Sequence, residues 1–204
     1  MRTIKSIVNG VVFSLGLFAI IGGLIVGYMP AKYMLLPVDP VDVINAVTVP
    51  GAQKIIRYDV NGWNENIVQD AIFKEQKTLG GVGLTDWSIQ AVYVIDNPNT
   101  PECKIVNPDI TYKVNVTLPR WTDPRDGSFF MIWEWKNFLE KIADHEEHHV
   151  QIVLNNIDPV KHALETSSCE NAQATFDAEI ARIKQLQEDF DSQQKNLKLD
   201  PISL

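Results

Sequence analysis

The stretch His145-Glu146-Glu147-His148-His149 follows the pattern His-Glu-x-x-His. In a helix, residues four apart share a face, so His145 and His149 can each offer one imidazole nitrogen to a single ion. Zinc takes such nitrogens at about 2.0–2.1 Å. Glu146 stands beside the first ligand, where its carboxylate reaches water on the ion without binding the ion. Two imidazole ligands and a general base are the working parts of a zinc peptidase. Three of the four histidines of the chain lie in this one pentapeptide. His148, off the axis of the pair, reads as a neighbouring or surface residue rather than a ligand. A bland reading, in which the whole motif is a charged and solvated helix face, suits Glu147. It does not suit His145 and His149, because Trp135, Phe138, Ile142, Ile152 and Val153 fall on their side of the helix. The rings should therefore point toward a core, where a dry site can form.

A long helix must carry the motif. Ser128 is a fitting N-cap, and residues 129–155 contain neither Gly nor Pro. Asp158-Pro159 predicts a short helix by the cap-then-proline rule. Asn171 predicts a cap for a last helix over residues 172–195, with Phe176, Ile180, Ile183, Leu186 and Phe190 on one stripe. Ahead of the motif, residues 54–60 read as a strand ended by Asn61-Gly62. Asn64 caps a predicted helix over 65–78, stopped by Gly80-Gly81 and Gly83. Residues 87–95 alternate as a half-buried strand, 96–101 form a turn, and 104–106 read as a short strand. Residues 110–118 alternate cleanly, with Ile110, Tyr112, Val114, Val116 and Leu118 on one face. Pro119 follows, which favours a sheet edge. Such an edge could hold a peptide in extended form, although an ordinary sheet strand fits the pattern equally well. The expected fold class is α+β: a small, mostly antiparallel sheet packed by the long helix and the C-terminal helix.

Composition narrows the partners. With 204 residues, 45% apolar and 22% charged, the chain is globular. A net charge of −8 repels phosphate backbones, so nucleic acid is not an expected partner. Two cysteines are too few for an all-thiolate zinc site. No charged residue lies between positions 6 and 31. The 22 residues 7–28 would span about 33 Å as a helix, the thickness of a bilayer core. Arg2 and Lys5 precede them. The expectation is a cytoplasmic tail (1–5), a transmembrane signal anchor (6–28), a proline-rich linker (29–52) and a soluble domain (53–204) outside the inner membrane, in the periplasm. The rival is a cleaved signal peptide and a secreted domain. Outside the cytoplasm two thiols tend to pair, here joining the strand region to the loop before the last helix; two unrelated buried thiols are the alternative.

The residues Tyr58-x-Val60-x-Gly62, Thr85-x-Trp87, Cys103, Leu118-Pro119-x-Trp121, Trp135-x-x-Phe138, His145-Glu146-x-x-His149 and Cys169 occur in that order. In them the soluble part resembles a bacterial family of unknown function whose members carry the label of secreted zinc-dependent proteases. The resemblance implies a zincin-like domain, a zinc cofactor, peptidase activity on a peptide or protein substrate, and a Cys103–Cys169 bridge. The family pattern ends near Tyr-Asp-x-x-Thr-x-His-Gly. Here the stretch reads Phe190-Asp191-Ser192-Gln193-Gln194-Lys195-Asn196, so Asp191 matches and Asn196 replaces the His. Two histidines alone hold zinc weakly. Asp191 is the preferred third ligand, with Glu165, Glu170, His162 and Glu179 open on spacing alone. Zinc so held would lower the pKa of its water toward ~7, and Glu146 would take the proton. Tyr112, Arg120 or His162 could assist as donors, and nothing in the sequence selects among them. The alternatives are a noncatalytic envelope binding or scaffold domain with a degenerate or structural metal site, and a zinc amidase acting on cell-wall peptide bonds.

Overall fold

The alternation read from the sequence produces three strands. The computed structural model describes residues 40–124 and 127–194. The expected anchor at 6–28 and the substituted position Asn196 lie outside the described residues. Among the described residues no helix is long and apolar enough to cross a membrane.

The elements run α1 (Pro40–Ile44), β1 (Lys54–Val60), α2 (Glu65–Leu79), β2 (Leu84–Asp96), β3 (Lys104–Trp121), α3 (Phe129–Leu154), α4 (Ile157–Thr166) and α5 (Ala172–Gln194). One turn of 3-10 helix, Cys169–Asn171, precedes α5. The strand order is β1-β3-β2. β2 and β3 form an antiparallel hairpin, whereas β1 lies parallel to β3 with Lys54 opposite Asn115 and Val60 opposite Trp121. The sheet is thus mixed rather than mostly antiparallel. A parallel neighbour needs a long crossover, and α2 together with β2 supplies it.

β3 also corrects the expectation of an edge at 110–118. It is the central strand, paired on both sides, so it cannot take up a peptide. Pro119 is accommodated because the β2 ladder ends at Leu84 opposite Thr117, two residues earlier. The predicted short strand at 104–106 is part of the same β3. A bulge joins the pieces: Val92 pairs with Asp109 and Val94 with Val106, leaving Asn107 and Pro108 opposite Tyr93. Asn107 has φ 50°, a left-handed conformation that Asn tolerates.

Caps set the helix ends. Asn64 Oδ1 accepts from Ile67 N at 3.1 Å, and Gly80, at φ 85°, donates its N–H to Gln76 O at 2.8 Å to close α2. The short α4 begins at Ile157, two residues ahead of Pro159. The core lies between the inner face of β3 (Val114, Val116, Leu118) and the buried stripe of α3 (Trp135, Leu139, Ile142, Val150, Val153). Ile44 and Val49, from the stretch read as linker, are buried in it. A second small cluster, Ile105, Leu164 and Ala172, sits at the hairpin end. There Cys103 and Cys169 form a disulfide that closes a 66-residue separation.

Candidate metal centre

Ser128 Oγ accepts from Met131 N at 3.2 Å and starts α3, which runs for 26 residues. Its buried stripe, Met131, Trp135, Phe138, Ile142, Glu146, His149 and Val153, keeps the helical spacing throughout. Glu146 and His149 are therefore carried into the interior by the same periodicity that buries the aliphatic residues. His145 is half-buried, and His148 is exposed with Nδ1 2.8 Å from Asp144 O.

The other wall is α5. Gln187 and Asp191, four residues apart, face the histidine turn together. Phe190 lies across the rings, its centroid 5.0 Å from both His145 and His149 and 5.3 Å from His148. Asp191 Oδ1 stands 2.9 Å from His149 Nε2 and 3.4 Å from His145 Nε2, and the two Nε2 atoms are 3.2 Å apart. Two ligands on a tetrahedral zinc ion, each at 2.0–2.1 Å, stand about 3.3–3.4 Å from one another. Two edges of the triangle, 3.2 and 3.4 Å, lie close to that spacing, and the third, 2.9 Å, is shorter.

Hydrogen bonding decides what this triangle presents. Gln187 Nε2 donates to His149 O at 3.1 Å, which turns Gln187 Oε1 toward His149 Nδ1. An amide oxygen only accepts, so Nδ1 carries the hydrogen and Nε2 of the neutral ring carries the lone pair. Burial, and then the neighbouring His149, push the His145 pKa down, against the pull of Asp191. A neutral imidazole nitrogen and an acceptor-only carboxylate oxygen thus meet His149 Nε2. The three ligating atoms converge on one point, where a divalent cation can join them. Imidazole nitrogen with carboxylate oxygen suits zinc and other borderline divalent metals.

Glu146 closes the site from the sheet side. Thr85 Oγ1, at the start of β2, donates to Glu146 Oε2 at 2.7 Å. Gly83 makes room for the other oxygen: a Cβ there would lie 2.3 Å from Glu146 Oε1. Tyr58 of β1 donates its hydroxyl to Val82 O at 2.8 Å and fixes that loop. Burial raises the Glu146 pKa, partly offset by the Thr85 hydrogen bond and by His149. All four groups, Glu146, His145, His149 and Asp191, line one cleft of about 1020 Å³. Ile72, Phe73, Leu79 and Phe138 add an apolar part to its lining.

Among the described residues, the acid and histidine side chains near enough to share an ion are His145, His149 and Asp191. Glu165, Glu170, Glu179 and His162 are not among them. Glu179 instead pairs with Arg182 at 2.7 Å. Tyr112, Arg120 and His162 do not line the cleft. Gln187, Phe190 and Gly83 were not singled out for the site from sequence. Two of them left a trace there: Gln187 stands one helical turn before Asp191, and Phe190 precedes Asp191 in the stretch that follows the family pattern.

Residues 55–196 match the sequence model of a family described as bacterial protein of unknown function (DUF922). The chain belongs to this bacterial family. No curated protein and no solved structure matches it. The match runs from β1 through the end of α5, so it takes in every residue of the donor triangle, Glu146 and both cysteines. It assigns no activity. The ordered residues that carry the resemblance acquire physical roles here: Tyr58 and Thr85 hold the loop and the carboxylate, and Cys103 and Cys169 are bridged. Trp121, Trp135 and Phe138 pack in the core as tilted rings with centroids 5.8 and 5.7 Å apart.

Proposed function

We propose that the chain is a membrane-anchored, extracytoplasmic zinc-dependent peptidase, with zinc held by His145, His149 and Asp191. One observation carries the reading: three ligating atoms converge within 3.4 Å of each other, with the His149 tautomer fixed by Gln187, beside a carboxylate in the same cleft. When bound, zinc supplies Lewis acidity, polarising a carbonyl and making water acidic enough to lose a proton near neutral pH. The chain supplies the rest. Glu146 Oε2 is occupied by Thr85, which leaves Oε1 to take up a proton from water and return it to the leaving amine. Its raised pKa suits a group that must hold and then release a proton. The apolar wall of the cleft excludes water around the reacting groups and accepts an apolar side chain of the substrate.

A second reading has its own support. Glu146 is only 3% exposed and already satisfies Thr85. This favours a noncatalytic envelope domain that uses the metal to bind. Two measurements separate them. On the peptidase reading the purified chain holds near-stoichiometric zinc, and Glu146→Gln keeps the zinc while hydrolysis of unstructured peptides is lost. Zinc-loaded protein that cleaves neither peptides nor peptidoglycan stem peptides rejects the peptidase and leaves the binding domain.

A further inference from the structure

Four large aromatic rings are exposed at one end of the domain: Trp63 at 60%, Phe129 at 57%, Phe130 at 72% and Trp133 at 55%. The backbone beside Trp63 and the segment that leads into Phe129 and Phe130 meet on a single buried residue, Trp121. Its indole N–H donates to Gly62 O at 2.7 Å, next to Trp63. A Cβ added at Gly127, two residues before Phe129, would lie 2.4 Å from Trp121 Cη2, so that backbone rests on the ring. The same ring packs on Trp135 of the inner face of α3, whose outer face carries Phe129, Phe130 and Trp133 over its first turns. The chain enters the domain at this end too. Asn45 Nδ2 donates to Trp121 O at 2.9 Å, and Trp121 N donates to Asn45 Oδ1 at 2.9 Å.

We infer that this aromatic end is a membrane-contacting surface, seated at the headgroup level of the bilayer that residues 6–28 would cross. Single exposed rings are ordinary, but three on the outer face of one helix start, with Trp63 next to the Gly62 that bonds Trp121, form a patch. Trp and Phe are the side chains that partition to the boundary between headgroups and acyl chains. The occupant follows from where the chain leads. The apolar run ends at Tyr28, and 15 residues separate it from Ile44, a reach of at most about 54 Å. The patch lies at the point where that tether joins the domain, so a bilayer is the surface within its reach, at high effective concentration. An acidic chain gains nothing from anionic lipid, so the contact is apolar and insensitive to salt. The inference rests on residues 6–28 remaining uncleaved. It also sets the stance of the site: His145 stands 12 residues beyond Trp133 along α3, about 18 Å farther along its axis.

The test uses the full chain in vesicles whose acyl chains are brominated. Residues 1–62 contain no tryptophan, so the anchor contributes no signal. Brominated lipid should quench the wild type roughly twofold or more above the double variant Trp63→Phe/Trp133→Phe. Retention through an alkaline carbonate wash reports the anchor separately. A chain that stays in the vesicle but shows no lipid quenching, with Trp63 and Trp133 open to acrylamide, overturns the surface and spares the anchor. Rings shielded from both quenchers overturn it in favour of a protein covering the patch. A chain that washes off the vesicles overturns the anchor and the surface with it.

Discussion

In the first half of α3, the buried indole has its complement inside the chain. Trp135 Nε1 donates to Asn45 Oδ1 at 3.0 Å, and the same oxygen receives Trp121 N at 2.9 Å. In the second half the pattern reverses. His149 Nε2, His145 Nε2 and Asp191 Oδ1 crowd within 3.4 Å of one another beside a cleft, and Glu146 is buried with a raised pKa. One helix thus has a half whose buried indole finds its partner within the chain and a half whose imidazoles and buried carboxylate are gathered at a cleft. The first kind of arrangement lowers the free energy of the fold; the second costs stability until a ligand arrives.

Substitutions in the two halves should separate these two properties. Trp135→Ala removes a fully buried aromatic and leaves Asn45 without one of its donors, at a cost of about 3–5 kcal/mol. Urea unfolding measures it, and a loss under about 1 kcal/mol would show that the aromatic half is not where stability resides. In the other half, His149→Ala should cost more than about a hundredfold in zinc affinity, because losing a ligand exceeds the usual effect of losing a ligand's own partner. A chromophoric chelator competition reads it out. The aromatic network is untouched by that change, so the metal-free variant should still unfold cooperatively. Gln187→Leu is milder. It keeps both imidazoles but frees the His149 tautomer, and zinc affinity should fall about 10–100-fold. An unchanged affinity would remove the argument that Gln187 aims the lone pair.

The two halves were unequally legible in the sequence. The strand at 54–60 and the starts of α2 and α3 could be read because period and capping are local: Asn64 and Ser128 each bond a backbone N–H three residues on. The sheet order was not local. Alternation at 110–118 shows that one face is buried, yet is silent about whether one or two neighbours pair with the strand. Pro119 pointed to an edge, and the early end of the β2 ladder is a fact of register. The metal site divides in the same way. His145, Glu146 and His149 lie within one and a half turns of a single helix, so spacing brings them together. Asp191 joins them only through the packing of α5 on α3, with Phe190 across the rings, and spacing offered Glu165, Glu170, Glu179 and His162 on equal terms. Thr85 lay in a matched motif without a role, since its partner is 61 positions away.

The smallest expected effect is also the one that reads the cost of the functional half most directly. Burial raises the Glu146 pKa in the folded, metal-free chain. Between its ordinary value and the raised one, the folded state holds a proton that the unfolded state has lost, so stability falls as pH rises through that window. Below the window both states are protonated and the cost vanishes; above it the fold carries a buried carboxylate. Glu146→Gln has no proton to lose and can still accept the Thr85 hydrogen bond. In chelator, its melting temperature should match the wild type near pH 4 and exceed it at pH 7 to 8, reversing the usual expectation that a mutated site residue destabilises. A difference that stays flat across this range would mean that Glu146 is not strained by its burial. Zinc should narrow the gap at neutral pH, because a divalent cation beside the carboxylate favours its charged form. That narrowing, absent in His149→Ala/Glu146→Gln compared with His149→Ala alone, would tie the strain in this half of α3 to the ion it is arranged to receive.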